Sequence, residues 1–444
     1  MMRNFTRFLS LVFVSALLMS QFAYGQLSGT YTIGSAGNYT TFSAAVSALN
    51  SGGVSGPVVF NVAAQTFSEK IILTPVSGAS LTNTISFIGA GNTQTTLTYS
   101  GSSTSNWSTV QFDGADYFVF KDMKVQNTGS SYANCFFFTN NSRYNTIHNC
   151  YINVGKGSAS YRIPIIASGS KTSYSTSGNN AWYNTISENT IYGGYYGIRM
   201  YGGGSSSPNL GNNFLDNLIT DQYYYPMYIY YNGEMHVQRN TIRNITSTGG
   251  YGIMLYYGTS DTVTHNDIQT QRYGMYFYYN NYYVKGQSLL ANNMIYNFGF
   301  RYNRGIYFYR AENTKVLFNT IWTKSSSSST SYCGIYAYYN NGCEIKSNIF
   351  VNSGGSYGRC IYENYGSWAD GSVDYNNYYS TGNYFVTWGG ATRSSLSAWQ
   401  TANPTLNVNS ISSNPYLAST TDMHLTASSP LLMGPNTDVA VDID

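Results

Sequence analysis

Four ionisable residues, Glu188, Asp216, Arg239 and His265, each stand immediately before an asparagine, at steps of 28, 23 and 26 residues. A chain that coils with this period stacks them into one column, neighbours ~4.8 Å apart. Two carboxylates at about that distance are what a retaining glycosidase uses, and Arg with His serves β-elimination. The column runs on through Asn292, Phe318 and Ser347. Its other reading is therefore a solvated turn in which Asp216 pairs with Arg239, an exposed ion pair contributing at most about 1 kcal/mol. His148, His236 and His424 fall outside the column, and neither a zinc-ligand spacing nor a calcium-type cluster of Asp is present. No metal or cofactor is expected.

A second set of residues is aromatic. In segments that open on Gly, one parity is apolar: Ile198 and Met200, Met227 and Ile229, Ile253 and Leu255, Met275 and Phe277, Ile306 and Phe308, Ile335 and Ala337. That parity must point inward in a strand, so the alternate positions point out. They hold Tyr228 and Tyr230, Tyr256, Tyr276 and Tyr278, Tyr307 and Tyr309, and Tyr336 and Tyr338, flanked by Tyr231, Tyr257, Tyr279, Arg310 and Tyr339. Stacked strands would align them into aromatic columns on one sheet. Such columns stabilise the sheet by ~0.5–1.5 kcal/mol per favourable pair. They also form a patch larger than monomers usually display, with ring faces and phenol edges suited to the C–H faces and hydroxyls of a long sugar chain.

Both sets require an element that repeats. An apolar residue, two polar residues, Asn, a spacer and an apolar residue recur as Ile186, Asn189, Ile191; Phe214, Asn217, Ile219; Val237, Asn240, Ile242; Val263, Asn266, Ile268; Leu290, Asn293, Ile295; Val316, Asn319, Ile321; and Ile345, Asn348, Phe350. From Val125 to Tyr378 the last apolar residue returns after 27, 39, 28, 23, 26, 27, 26, 29 and 28 residues. Self-similarity at this period indicates a solenoid. The segments are short and β-rich without helical spacing, so the expected fold is all-β, a right-handed parallel β-helix. The repeated Asn is expected to form a buried ladder, each amide bonding the coils on either side. Cys150 takes that place in its own coil and is expected as a buried thiol.

The remaining segments fit around this core. Arg3 and Arg7 precede an apolar run from Phe8 to Met19, followed by Ala23, Tyr24 and Gly25; residues 1–25 read as a signal peptide, and the run is too short for a membrane span. The product is expected to be secreted or at the cell surface. Residues 26–110 are expected to hold an N-terminal cap and irregular first coils, including an amphipathic helix with Phe42, Ala45, Val46 and Leu49 on one face. Residues 111–380 are expected to form the regular β-helix, and 381–444 a C-terminal cap with Leu396 and Trp399 on a short helix. The stretch from Gly155 to Asn180 accounts for the 39-residue step and is expected to protrude as a long loop, with room for one extra strand at its apolar RIPII run, and Ser325 to Thr330 as a second loop. Of the five cysteines, Cys333 and Cys360 fall at nearly the same place in adjacent coils. The spacing allows a bridge between them or buried free thiols.

The composition narrows the partner. Only 9% of residues are charged, and the formal charge of +3 falls to +1 without Arg3 and Arg7. No basic stripe exists to neutralise a phosphate backbone, which argues against nucleic acid. The 46 Tyr and 44 Gly beside many Asn, Ser and Thr describe a surface of hydroxyls, amides and rings, for which an uncharged partner is expected.

The capping segments carry a resemblance. YTTFSAAVSAL at the start, and SLSAWQ, NSISSNPYL, DMHLTASSPLL and DVAVDID at the end, resemble secreted β-helix proteins of the pectin-lyase-like superfamily. That resemblance implies the same fold, and relatives that include pectate lyases, polygalacturonases and pectin methylesterases. The chain lacks a paired-Asp hydrolase motif with its His, an esterase-like GxxDFIFG segment and a calcium cluster, which counts against those three activities. In similar proteins the terminal DID is followed by Gly and further sequence, so a C-terminal sorting domain is expected beyond Asp444. The function expected is binding of an extended polysaccharide or cell-surface glycan through the tyrosine sheet. The alternatives are a polysaccharide lyase or glycoside hydrolase at the Glu188 to His265 column, and a purely structural adhesin stalk.

Overall fold

The computed structural model describes residues 25–244, 250–297, 303–324, 333–353, 357–365, 373–419 and 422–431. One coil shows how the repeat is built. Thr262–Thr264 is a strand, His265 and Asn266 turn the corner, Asp267–Thr270 is the next strand, and Tyr273–Tyr278 the third, before the chain re-enters the first sheet at Ser288–Ala291. Stacking such coils gives, among the described residues, three long sheets of 13, 12 and 13 strands. The first leads into the asparagine corner, the second leaves it, and the third carries the tyrosines. Neighbouring strands are parallel and in register, as in Val237↔Val263↔Leu290↔Val316 and Ile242↔Ile268↔Ile295↔Ile321. The exception is the closing hairpin of Val386–Trp388 with Ala391–Arg393, which is antiparallel.

The apolar parity of each strand points to one continuous core, where Val263, Ile268, Met275, Phe277, Leu290, Ile306 and Phe308 have no exposed surface. Each such side chain contributes roughly 1.5–3 kcal/mol by burial. The tyrosine strands begin with Gly because backbones approach closely there. A Cβ on Gly274 would lie 2.3 Å from Ile295 Cγ2 and 2.7 Å from the Gly305 carbonyl, and one on Gly305 only 2.2 Å from Ile321 Cγ2.

The asparagine ladder forms as expected. The Asn240 side-chain amide donates to Asn266 Oδ1 at 3.0 Å and the Asn266 amide to Asn293 Oδ1 at 2.9 Å, while each backbone N–H donates to the same acceptor. The second amide hydrogen closes the corner on the preceding coil, Asn266 Nδ2 to the Val237 carbonyl at 2.8 Å. The ladder runs from Asn189 to Asn376 and ends on Ser410 Oγ. Cys150 is buried and gives its backbone N–H to Asn189 Oδ1 at 2.9 Å, with its thiol turned to the His148 carbonyl.

The ends are covered by helices. Phe42–Gly52 is a helix whose Thr41 hydroxyl accepts from the Ala44 N–H, and whose Phe42, Ala45, Val46, Ala48 and Leu49 are buried. At the far end Leu396–Ala402, capped by Ser395, buries Leu396 and Trp399. The long step carries the extra strand but does not protrude. Ile165–Ala167 is its coil's own strand in the tyrosine sheet, and the flanking residues fold back over that sheet rather than protrude. Trp107, Phe137, Ile163, Ile166 and Tyr196 form a second apolar cluster there, covered by Tyr161 and Tyr174, and Trp107 Nε1 donates to the Lys171 carbonyl at 3.2 Å. The physical reason is that Phe137 and Ile166 are outward and apolar, and the insertion removes them from water.

The five cysteines are free and buried. Cys333 pairs in register with Arg359, so Cys360 stands one residue further on and points to the opposite face; no bridge joins them. The stretch from Ser325 to Thr330, residues 1–24 of the expected leader and the DVAVDID segment lie outside the described residues. No helix among the described residues is long and apolar enough to cross a membrane.

Candidate functional site

The expected tyrosines do line up. One column runs Tyr201, Tyr230, Tyr256, Tyr278, Tyr309 and Tyr338 by strand register. Its ring centroids are 4.9, 4.3, 5.3, 5.1 and 5.6 Å apart, the Tyr230–Tyr256 pair being stacked nearly parallel at 4°. The parallel column runs Arg199, Tyr228, Met254, Tyr276, Tyr307, Tyr336 and Tyr362, with Tyr276 stacked on Tyr307 at 4.4 Å and Tyr336 on Tyr362 at 4.8 Å. Tyr228 and Tyr230 place their hydroxyls 3.3 Å apart, linking the two columns.

Tyr231, Tyr257, Tyr279, Arg310, Tyr339 and Tyr365 end these strands at φ between 51° and 58°. A left-handed backbone disfavours a side chain by about 1–2 kcal/mol. Contacts between coils offset it: Tyr231 lies 5.1 Å from Tyr257, Tyr257 lies 5.5 Å from Tyr279, and the Arg310 guanidinium sits 5.4 Å from both the Tyr279 and Tyr339 centroids.

The sheet is less open than its sequence suggests. Tyr228, Tyr230, Tyr256, Tyr257, Tyr276, Tyr278, Tyr307, Tyr309, Tyr336 and Tyr338 are half-buried by one another, whereas Tyr339 and Tyr365 at the rim are 43% and 65% exposed. The ring edges face water and much of each ring face is covered. Burial raises the phenols of Tyr256 and Tyr276 far above their ordinary value, and that of Tyr336 to about 12 against the opposing pull of Arg304. These three hydroxyls are neutral at physiological pH.

Sequence reading missed Met254, a nearly buried rung of the Tyr228 column, and the arginines. Arg199, Arg304 and Arg359 are 6%, 8% and 4% exposed. Arg304 takes the place that Tyr273 holds one coil earlier, with its guanidinium 3.6 Å from the Tyr336 centroid and 4.2 Å from that of Tyr307. Arg199 lies 4.5 Å from Tyr196 and 4.6 Å from Tyr228. The residue before each strand Gly (Tyr196, Tyr251, Tyr273, Arg304, Cys333) was the legible signal for this further outward column.

The ionisable column is also in register, with Glu188, Asp216, Arg239 and His265 at φ of 56°, 58°, 53° and 57°. The structure divides it into pairs. Glu188 Oε2 is 3.9 Å from His148 Nε2 on the preceding coil, Asp216 is held by both Nε and Nη2 of Arg239 at 2.7 and 2.8 Å, and His265 Nε2 meets the Asn292 amide at 3.1 Å. Asp216 thus turns to the following coil and Glu188 to the preceding one. Glu188 and Arg239 are largely solvated, 59% and 51% exposed in their side chains.

One further carboxyl is wholly buried. At the corner entering the first sheet, Asn145, Asn184 and Asn212 form a short second ladder, and two coils on the same column holds Asp261. It accepts from the Met235 N–H at 3.2 Å and the Asn280 amide at 3.1 Å. Burial pushes its carboxyl up to about 8. Among the described residues no three His, Cys, Asp or Glu side chains come together as a metal site.

The family described as right-handed β-helix region matches residues 173–327 and 244–400, together just over half of the sequence. The chain belongs to that family. No curated protein matches it significantly. Similar solved structures include a DFA-IIIase from Arthrobacter chlorophenolicus A6, at 9% identity and a TM-score of 0.47 over 73% of this chain and 84% of that one. The A-module of the Azotobacter vinelandii mannuronan C-5 epimerase AlgE4 is similar at 14% identity and a TM-score of 0.45, over 72% and 85%.

Proposed function

We propose that this protein is an exported or cell-surface binding module whose tyrosine sheet holds an extended polysaccharide. The observation that carries this reading is the repetition of one chemistry over successive coils. From Tyr201 to Tyr338 every rung of one column is a tyrosine, with ring edges at the surface. A polymer lying along the helix axis meets a neutral phenol edge every ~4.8 Å. Aromatic rings supply a large, apolar body with a polar handle, the combination that suits a sugar's C–H face and hydroxyls. Because the rings are already ordered by their neighbours, little side-chain entropy is lost when a ligand docks. Export is supported by the Arg3, Arg7 and Phe8 to Met19 pattern.

The ionisable column supports catalysis less well, since Asp216 is engaged by Arg239 and Glu188 turns toward His148. The reading is tested by incubating the purified protein with a panel of polysaccharides while measuring retention and product release together. Retention without release of shortened chains is expected. Release of sugar products abolished by Glu188→Gln or Asp216→Asn would replace the binding reading with an enzymatic one. Retention no greater than that of an unrelated β-helix would remove it.

A further inference from the structure

From Tyr196–Tyr201 onward the outward charges of the tyrosine sheet have one sign. In its strands from Tyr196–Tyr201 to Arg359–Asn364 the ionised side chains at outward positions are Arg199, Arg304 and Arg359, with Arg310 at the rim, while Glu363 pairs with Ala337 on the inward parity. Three of these guanidiniums form no ion pair among the described residues: Arg199, Arg304 and Arg310. The nearby acids are already engaged, Asp113 by Lys171 and Glu312 by Lys285. Instead the three lie against rings, and each keeps a buried N–H without a hydrogen-bond acceptor: Arg199 Nη1, Arg304 Nε and Arg310 Nε.

Arg199 lies over four rings and donates to the Tyr174 carbonyl, and Arg304 lies over three. At ~0.5–2 kcal/mol per ring these contacts offset the several kcal/mol that removing a charge from water costs, but they leave the charge itself without a counter-ion. A tyrosine would complete the same rungs without that penalty, as Tyr273 does one coil before Arg304 and Tyr228 one coil after Arg199. In a chain with only 9% charged residues, uncompensated positive charge recurs on one sheet. Arg199 and Arg304 stand four coils apart, ~19 Å along the axis. Low-dielectric walls of stacked rings focus such a field outward.

We propose that the polymer bound by the tyrosine sheet is an acidic polysaccharide, whose carboxylate or sulfate groups supply the counter-charge that Arg199, Arg304 and Arg310 lack among the described residues. This inference rests on the binding reading above and reverses the expectation of an uncharged partner. Rings hold the sugar faces, and the guanidiniums set the preference for acidic over neutral chains, acting mainly through their field because two of them are more than nine-tenths buried.

The test compares retention of the purified protein on a carboxylated polyuronate, a sulfated polysaccharide and a neutral glucan of similar length, each at low and high ionic strength, with duplex DNA as a non-sugar polyanion. Acidic chains are expected to bind about tenfold more tightly than the neutral one at low salt, and to lose most of that margin at high salt. The carboxylated and sulfated arms separate the two sources of charge. Arg310→Gln, at the half-buried rim, is expected to narrow the margin several-fold while melting like the parent. Arg304→Gln is expected to do the same more strongly and is scored only if its melting curve is intact. A neutral glucan bound as tightly as the acidic chains and without salt dependence would overturn this inference while leaving the binding reading in place. Duplex DNA bound as tightly as the acidic sugars would overturn it as well. Failure of all three polysaccharides to bind would overturn both.

Discussion

Two outward columns of this β-helix are built on the same backbone device and used in different ways. The corner before the asparagine ladder and the turn that ends the tyrosine strand both place side chains on left-handed residues stacked coil over coil. At the corner the residue type changes at every coil, through Glu188, Asp216, Arg239, His265, Asn292 and Phe318, and the side chains pair off or face water. At the strand end it is Tyr231, Tyr257, Tyr279, Arg310, Tyr339 and Tyr365, a run of rings interrupted by one cation that stacks on its neighbours. A solenoid supplies the same geometry to every coil, so geometry alone does not mark a site. Of these two outward columns only the tyrosine one retains one chemistry over many coils, which is what supports reading it as the binding surface.

The comparison can be broken most forcefully from beneath. The inward neighbours of the tyrosines, Met275 and Phe308, are fully buried, and truncating either to Ala should cost about 2–5 kcal/mol in a denaturant melt. If such losses were no larger than those from outward residues, the division of the strand into a core side and a binding side would be wrong.

The next effect concerns Asp261, which occupies a corner where earlier coils carry Asn. Its folded carboxyl titrates near 8, above the ordinary 3.8, so the fold prefers the neutral form. The associated stability is fully present below about pH 3.8 and lost as pH rises through about 8. Asp261→Asn should therefore stabilise the protein above that range by up to a few kcal/mol and flatten its stability between those pH values. A melting temperature that falls at alkaline pH in the variant, relative to the parent, would contradict this.

Asn266→Leu should cost roughly 1–3 kcal/mol, because the Asn240 N–H and the Val237 carbonyl lose their partner. An unchanged melting temperature would argue that the ladder is replaceable by apolar packing. The smallest effect is expected at the corner itself. Asp216 and Arg239 form a well-aligned but exposed pair, so Asp216→Asn should change stability by no more than about 1 kcal/mol and leave polysaccharide retention unaltered.

Much of this was legible in the sequence because the repeat couples local pattern to global position. Once Asn240, Asn266 and Asn293 are known to share a corner, the inward parity of Met275 and Phe277 and the outward parity of Tyr276 and Tyr278 follow without further assumption. The capping helices were legible for a different reason, namely the one-sided apolar runs of Phe42, Ala45, Val46 and Leu49 and of Leu396 and Trp399. What escaped is what the repeat does not control. The fold-back of the insertion depends on Phe137 and Ile166 being outward and apolar, a tertiary demand that no local pattern announces. The half-burial of the rings comes from their mutual contact across coils, which alternation alone does not measure. Arg199 and Arg304 escaped because they replace rings in otherwise aromatic columns, so the pattern concealed the charge.

The central claim, that the tyrosine sheet is a binding surface, is tested most directly by Tyr276→Ala combined with Tyr307→Ala. These rings stack at 4.4 Å and are half-buried, so the double change should remove a stacking pair worth ~0.5–1.5 kcal/mol beyond area, with coupling that prevents simple addition of the single effects. Polysaccharide affinity and unfolding free energy would be measured on the same preparation. The account predicts that affinity falls at least tenfold while the protein still melts cooperatively, with a smaller loss of stability than at Met275 or Phe308. A double variant that unfolds while the parent binds each polysaccharide no better than an unrelated β-helix would show that the tyrosines serve the fold alone.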